Sequence, residues 1–273
     1  MKKILTLLSV MFLALSPLSA QRLVILHVND THSHFEPVRS GAEAGLGGVI
    51  ERAAYVDSVR KAEGDANVLL LHAGDFNQGT SYYTLLGGAL EVATVNAMKY
   101  DCITLGNHEF DNGIEDLAAR LSKIECPIVC ANYDFSSFGL GKYIRPYAVV
   151  NRGGMKIGIF GMLTDITKVV DRTIADRIPK YDNVETARRW ASWLKNEEGC
   201  DLVIMLSHLG FESEVFTDPE LVSRTRDIDL VIGGHSHTFL EKMEYRPNLD
   251  GKMIPIVQDG CWGEYMGKIT VNR

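Results

Sequence analysis

Five short apolar runs in this sequence end in residues able to bind a metal ion. Residues 23–28 lead into Asn29-Asp30-Thr31-His32. Residues 68–71 lead, through His72, into Ala73-Gly74-Asp75. Residues 102–105 lead into Gly106-Asn107-His108-Glu109, 202–206 into Ser207-His208, and 230–232 into Gly233-Gly234-His235-Ser236-His237. Each residue alone reads as a turn former or a solvated group. Together they offer Asp30, His32, Asp75, Asn107, His208, His235 and His237, a set of oxygen and imidazole donors without a thiolate. Such donors suit divalent Mn²⁺, Zn²⁺ or Fe²⁺. Seven donors exceed one coordination sphere, and two divalent ions set against only the two charges of Asp30 and Asp75 and a bridging hydroxide would leave net positive charge to face a phosphate.

The elements that must position these residues read as α/β. Strand-length apolar runs recur at 23–28, 68–71, 102–105, 127–129, 156–160, 202–206, 230–232, 254–257 and 269–271. Several are continuous rather than alternating, as in strands buried on both faces. Between them lie segments of helical period. Val49, Ala53, Val56 and Val59 share one face of 48–63, and Leu90, Ala93, Ala97 and Met98 share one face of 89–99. Residues 114–123, 183–196 and 218–226 are further helix candidates. Strands alternating with helices predict largely parallel pairing, with an antiparallel addition among the late strands. In such sheets ligands gather at the carboxyl ends of the strands, which brings the five polar exits to one rim. Residues 134–146 and 244–251 read as irregular.

The composition fits a folded domain. Of 273 residues, 46% are hydrophobic and 23% charged, which excludes disordered and collagen-like classes. Met1-Lys2-Lys3, an apolar stretch over 4–15 and Ser16-Pro17-Leu18-Ser19-Ala20 predict a secretory signal peptide over 1–20, hence a periplasmic or secreted protein. The remaining 21–273 read as one catalytic domain without a membrane span. Net charge is −7 with the two leader lysines and −9 without them, so a nucleic-acid polymer is not the expected partner. Cys102, Cys126, Cys130, Cys200 and Cys261 show no CxxC spacing and read mainly as small buried apolar residues, with one or two disulfides left open. His27, His34 and His72 read as structural rather than ligating.

The ordered set Asp30-x-His32, Gly74-Asp75, Gly106-Asn107-His108-Glu109, Ser207-His208 and Gly233-Gly234-His235-x-His237 resembles the calcineurin-like metallophosphoesterases. Gly47-Gly48 and the motif from Gln258 to Gly267 narrow the resemblance to the 5′-nucleotidase branch. It implies a four-layer αββα sandwich of two mixed sheets flanked by helices. It implies one cation at Asp30, His32, Asp75 and His237 and another at Asp75, Asn107, His208 and His235. It further implies in-line attack on a phosphate monoester, such as a nucleotide, by a hydroxide held between the ions. His108 would stabilise the transition state or protonate the leaving group, oriented by Asp111.

Members of that branch usually carry a second, substrate-binding domain, whereas the sequence given stops at Arg273, after its last strand. The expectation is either broad action on exposed phosphate esters or a separate substrate-binding chain that docks on the rim. Tyr82, Tyr83, Phe110 and Trp262 lie near the motifs and could border a substrate, although packing is the commoner role. A phosphodiesterase or nucleotide-sugar pyrophosphatase is the alternative reaction. A non-catalytic subunit is the alternative class, disfavoured because every ligand is present.

Overall fold

The computed structural model describes residues 22–212 and 216–272. The expected leader, 1–20, lies outside them. Its strands are β1 (Arg22–Val28), β2 (Val68–His72), β3 (Cys102–Thr104), β4 (Ile128–Val129), β5 (Ile144–Arg145), β6 (Tyr147–Arg152), β7 (Met155–Leu163), β8 (Leu202–His208), β9 (Leu230–Ile232), β10 (Glu244–Pro247), β11 (Met253–Val257) and β12 (Gly267–Asn272). The α-helices are α1 (Val49–Glu63), α2 (Ser81–Leu86), α3 (Ala89–Ala97), α4 (Ile114–Leu121), α5 (Arg172–Ala175), α6 (Asn183–Ser192) and α7 (Asp218–Ser223).

The strands form two six-stranded sheets, ordered β12-β1-β2-β3-β4-β5 and β10-β11-β9-β8-β7-β6. Strands β1 to β5 run parallel to one another, as do β7, β8, β9 and β11. Only β12, β6 and β10 are antiparallel to their neighbours, each at a sheet edge. Both sheets are therefore mixed.

Alternation along each strand builds the layers. On β1, Leu23 and Ile25 face the second sheet, while Val24, Leu26 and Val28 face α1, α3 and α4. On β8, Ile204 and Leu206 face the first sheet, while Val203 and Met205 face α6 and α7. Three apolar layers result: helix on sheet, sheet on sheet, and sheet on helix. This is the expected four-layer αββα sandwich. Each buried Leu or Ile contributes about 1.5–3 kcal/mol when moved out of water. Between the sheets the backbones nearly touch at Gly161 of β7. A Cβ there would sit 2.1 Å from the Val129 carbonyl oxygen, and the Ala131 N–H donates to the Gly161 oxygen at 2.8 Å.

Several expectations need correction. The segment read as irregular over 134–146 contains β5, and that over 244–251 contains β10. Strand β6 and helices α2 and α5 were also not among the expected elements. The buried face of α3 is Glu91, Val92 and Val95, continued by Met98, whereas Ala93 and Ala97 are exposed and Leu90 half-buried. Alanine fits either side of a helix, and the β-branched valines fill the groove over the sheet. Ser207 and His208 belong to β8 itself rather than to the loop after it. All five cysteines are free. Cys102, Cys130 and Cys200 are each packed in a different apolar layer. None of the described helices is long and apolar enough to cross a membrane.

Candidate metal centre

The parallel strands of both sheets end at one rim, and the loops there interlock. Asp30 N–H donates to the Gly74 oxygen and His32 N–H to the Asp75 oxygen, both at 3.0 Å. The second sheet joins them through the His235 N–H, which donates to Asp30 Oδ2 at 3.0 Å, and through His208 Nδ1, 2.7 Å from the Ala73 oxygen.

Two clusters follow. Asp30, His32 and His237 form one, and Asp75, His208 and His235 the other, with one ligand atom from each residue within 4.8 Å of the rest of its group. His32 Nε2 lies 3.0 Å from His237 Nε2, and His208 Nε2 lies 3.0 Å from Asp75 Oδ2. Asp75 Oδ2 is also 3.8 Å from His32 Nε2, so this carboxylate stands between the clusters. Asn107 is buried after β3, and its Oδ1 has no hydrogen-bond partner. An orphaned buried amide oxygen costs roughly 1–3 kcal/mol unless something coordinates it.

These residues fit a pair of cations. His208 Nδ1 faces the Ala73 oxygen and His32 Nδ1 faces the Asn77 oxygen at 3.2 Å. Each ring N–H is thereby taken by a carbonyl, which leaves Nε2 free to ligate, the arrangement metal-binding imidazoles favour. The field is negative. Burial opposes charge on His208, yet Asp75 and Asp30 outweigh it and lift the imidazole to about 10. A hydrogen bond with Asp30 is the main cause that holds His237 near the same value. Burial pushes His235 down to about 4 and also lowers His32. Divalent ions would displace the protons that the carboxylates now attract.

The backbone is bent to make this cage. Asp30, His32, Asp75, His235 and His237 all have positive φ, between 46° and 78°. Such conformations cost about 1–3 kcal/mol each and persist where surrounding structure enforces them. Gly106 leaves room for the shared carboxylate, since a Cβ there would lie 2.1 Å from Asp75 Oδ1.

His108 sits at the edge of the cage, its ring centroid 5.2 Å from that of His32. Its Nδ1 meets Asp111 Oδ2 at 2.8 Å, which leaves Nε2 directed elsewhere. The Asp111 hydrogen bond raises the His108 imidazole above its ordinary value, although burial opposes this.

The histidines read as structural are absent from both clusters. His27 Nδ1 pairs with Asp259 Oδ2 at 2.6 Å. His72 Nε2 meets Thr31 Oγ1 at 3.1 Å, and burial presses its imidazole down to about 3. His34 meets the His32 carbonyl at 2.8 Å and stacks on Trp262. Of the four aromatic residues near the motifs, Tyr83 and Phe110 are buried packing.

Residues that hold the ligands were less legible. Glu109 is fully buried and accepts N–H donations from Asp75, Phe76, Asn77 and Gly106, fixing the loop that carries Asp75. Asn29 donates to Asp30 Oδ2 at 2.6 Å and to the Gly260 oxygen at 2.7 Å. Gln258 Oε1 accepts from Ser236 Oγ and the Thr238 N–H, fixing the turn that carries His235 and His237. All three lie inside quoted motifs, so motif membership was the available signal. Asp218, at the start of α7, had none. It is fully buried and accepts from Ser207 Oγ at 2.5 Å, next to His208.

Burial raises the Asp218 carboxyl to about 7. A carboxyl raised in the folded state adds stability that is whole below its unfolded value of about 4 and is lost as pH rises through about 7. Asp218→Asn is expected to remove that loss. Its melting temperature should fall less than that of the wild type between pH 5 and pH 8. A decline as steep as the wild type's would show the carboxyl to be ionised throughout.

The family model for calcineurin-like phosphoesterases matches residues 23–239. The chain therefore belongs to that family of metal-dependent phosphoester hydrolases. It is 34% identical to a snake venom 5′-nucleotidase of Naja atra, covering 91% of this chain and 50% of the relative. It is 36% identical to the NAD 5′-nucleotidase of Haemophilus influenzae, covering 83% and 38%. The crystal structure of a 5′-nucleotidase precursor from Thermus thermophilus superposes with a TM-score of 0.83 at 33% identity, covering 92% and 51%. The chain thus spans about half the length, or less, of these relatives.

Proposed function

We propose that this chain hydrolyses phosphate monoesters, nucleotides foremost, at a two-cation centre. Asp30, His32, Asp75 and His237 would hold one cation, and Asp75, Asn107, His208 and His235 the other. The observation that carries this is the meeting of two ligand clusters at the Asp75 carboxylate, together with the orphaned Asn107 oxygen in the loop after β3. When bound, the cations supply Lewis acidity toward the phosphoryl oxygens and a nucleophile at neutral pH. The chain's own residues do the rest. Glu109, Asn29 and Gln258 fix the loops so that the donors need little reorganisation. His108, kept cationic by Asp111, delivers a proton from Nε2 to the leaving oxygen. The likeness to 5′-nucleotidases supports nucleotides as the substrate class.

A panel of AMP, 2′,3′-cyclic AMP, UDP-glucose and bis-p-nitrophenyl phosphate, run with Mn²⁺ or Zn²⁺, tests this reading. AMP should be turned over fastest. Phosphate release should stop with EDTA and return with metal. A metallated protein inert toward all four would sink the proposal, and faster turnover of the diesters would move it to a phosphodiesterase.

We also propose export, on the pattern of residues 1–20. Sequencing the mature N-terminus should give Gln21 first. A retained Met1 would rule out cleavage.

A further inference from the structure

The loop that carries Asp30 and His32 turns on left-handed residues, with φ of 48° at Asp30, 46° at His32 and 56° at Ser33. Residues other than glycine keep such angles only where neighbouring structure enforces them. A small polar cavity of about 20 Å³ lies against this loop, with Thr31, Ser33, Arg52, His72, Glu91 and Tyr100 among its lining.

The hydrogen bonds around the cavity run in one direction. The Gly74 N–H donates to His72 Nδ1 at 3.2 Å, so Nδ1 carries no proton and the neutral ring bears its hydrogen on Nε2. That nitrogen lies 3.1 Å from Thr31 Oγ1 and therefore donates to it. The Thr31 hydroxyl is left with a proton to give, and no acceptor among the described residues takes it. Glu91, 2% exposed on α3, accepts from Ser33 Oγ at Oε1, while its Oε2 has no hydrogen-bond partner. Arg52 Nε, also buried, has none either. Two donors and one acceptor thus belong to the lining of one cavity, each without its match. About 10–15 Å³ is enough for a water that finds two to four polar partners.

We propose that this cavity binds a single ordered water, accepting from Thr31 Oγ1 and donating to Glu91 Oε2, and that Glu91 is thereby a positioning residue for the metal centre. Arg52 Nε is the remaining donor in the lining. The guanidinium disfavours a cation, the carboxylate disfavours an anion, and the volume excludes anything larger. The chain of bonds runs from Gly74, beside Asp75, through His72, Thr31 and the water to Glu91, and Ser33 closes it from the far side of His32. Glu91 thus holds both neighbours of His32 without touching a cation. The positioning role rests on the two-cation reading above, whereas the water site does not.

High-resolution crystal structures of the wild type and Glu91→Gln test the site. In the wild type one ordered water should lie within about 3.2 Å of both Thr31 Oγ1 and Glu91 Oε2. Density without that water overturns the proposal. In Glu91→Gln the loop from Asp30 to Ser33 should be displaced, and a loop that superposes on the wild type overturns the positioning role. Titration of Mn²⁺ into metal-free protein, followed by electron paramagnetic resonance, compares the wild type, Glu91→Gln, Thr31→Val and the double variant. In each single variant the ion at Asp30, His32 and His237 should bind about tenfold more weakly, the scale of outer-shell substitutions at metal sites, with the other ion changed less than about twofold. Because both residues act through one water, the double variant should lose no more than either single one. Equal weakening of both ions, or additive losses, overturns the proposal. If Glu91→Gln does not fold, Thr31→Val decides both measurements. If the wild type takes up no Mn²⁺, the two-cation reading fails, while the crystal structures still decide the water and the loop.

Discussion

Asp75→Asn should lose both metal ions and, with them, turnover. The Asp75 carboxylate faces His208 Nε2 at 3.0 Å and His32 Nε2 at 3.8 Å, so it borders both candidate cation positions. Replacing it with an amide removes one negative charge from each. At about 4 Å and an effective dielectric near 20, a unit charge pair is worth about 4 kcal/mol. A divalent ion loses at least that much, or about three decades of affinity. The fold should survive, because the amide keeps the carboxylate's shape. Its oxygen can still accept the His108 N–H that now reaches Oδ1 at 2.8 Å, and its NH₂ can donate to His208 Nε2. Elemental analysis after gel filtration, together with phosphate release from AMP, checks the prediction. Two bound metals and wild-type turnover in the variant would falsify the shared-carboxylate centre.

His108→Asn should behave differently, with both metals retained and kcat for AMP lower by roughly 10²–10⁴, the usual scale of a general acid–base contribution. His108 is not in either ligand cluster, and its Nδ1 is taken by Asp111. In the proposed mechanism it meets negative charge on the leaving oxygen, so the loss should depend on the leaving group. A nucleoside alkoxide needs the proton, whereas p-nitrophenolate does not. Turnover of p-nitrophenyl phosphate should therefore suffer far less than turnover of AMP. Metal loss in this variant would make His108 a ligand. An equal loss for both esters would make it a positioning or charge-stabilising group.

Much of this arrangement could be read from the chain. The runs that became β2, β8 and β9 are continuously apolar, and that of β1 is broken only by His27, because each is buried on both faces, between the partner sheet and a helix layer. The polar residues that end them stand out against that background. The edge strands were less visible. β5 is two residues long, β10 alternates half-exposed with exposed positions and carries no apolar run, and β6 buries only Ala148, so that its short apolar run, Tyr147 to Val150, is mostly half-exposed. What makes them strands is pairing with β4, β7 and β11, which is a tertiary fact. The buried face of α3 was misjudged for a similar reason. Its alanines suit either side, and only contact with the sheet selects Val92 and Val95.

By itself the sequence determined the residue types at the rim and the alternation of strand and helix. Both are local properties, set by which side chains can bury and which cannot. The tertiary structure decided which residues meet. Asp30 joins His237, and Asp75 joins His208 and His235, because two separate sheets end at one rim. It also gave like residues unlike chemistry. His208 and His235 are both histidines near Asp75, yet one is lifted to about 10 and the other pressed to about 4. The balance between loss of water and nearness to a carboxylate makes that difference, and it depends on depth and distance, which no linear spacing encodes.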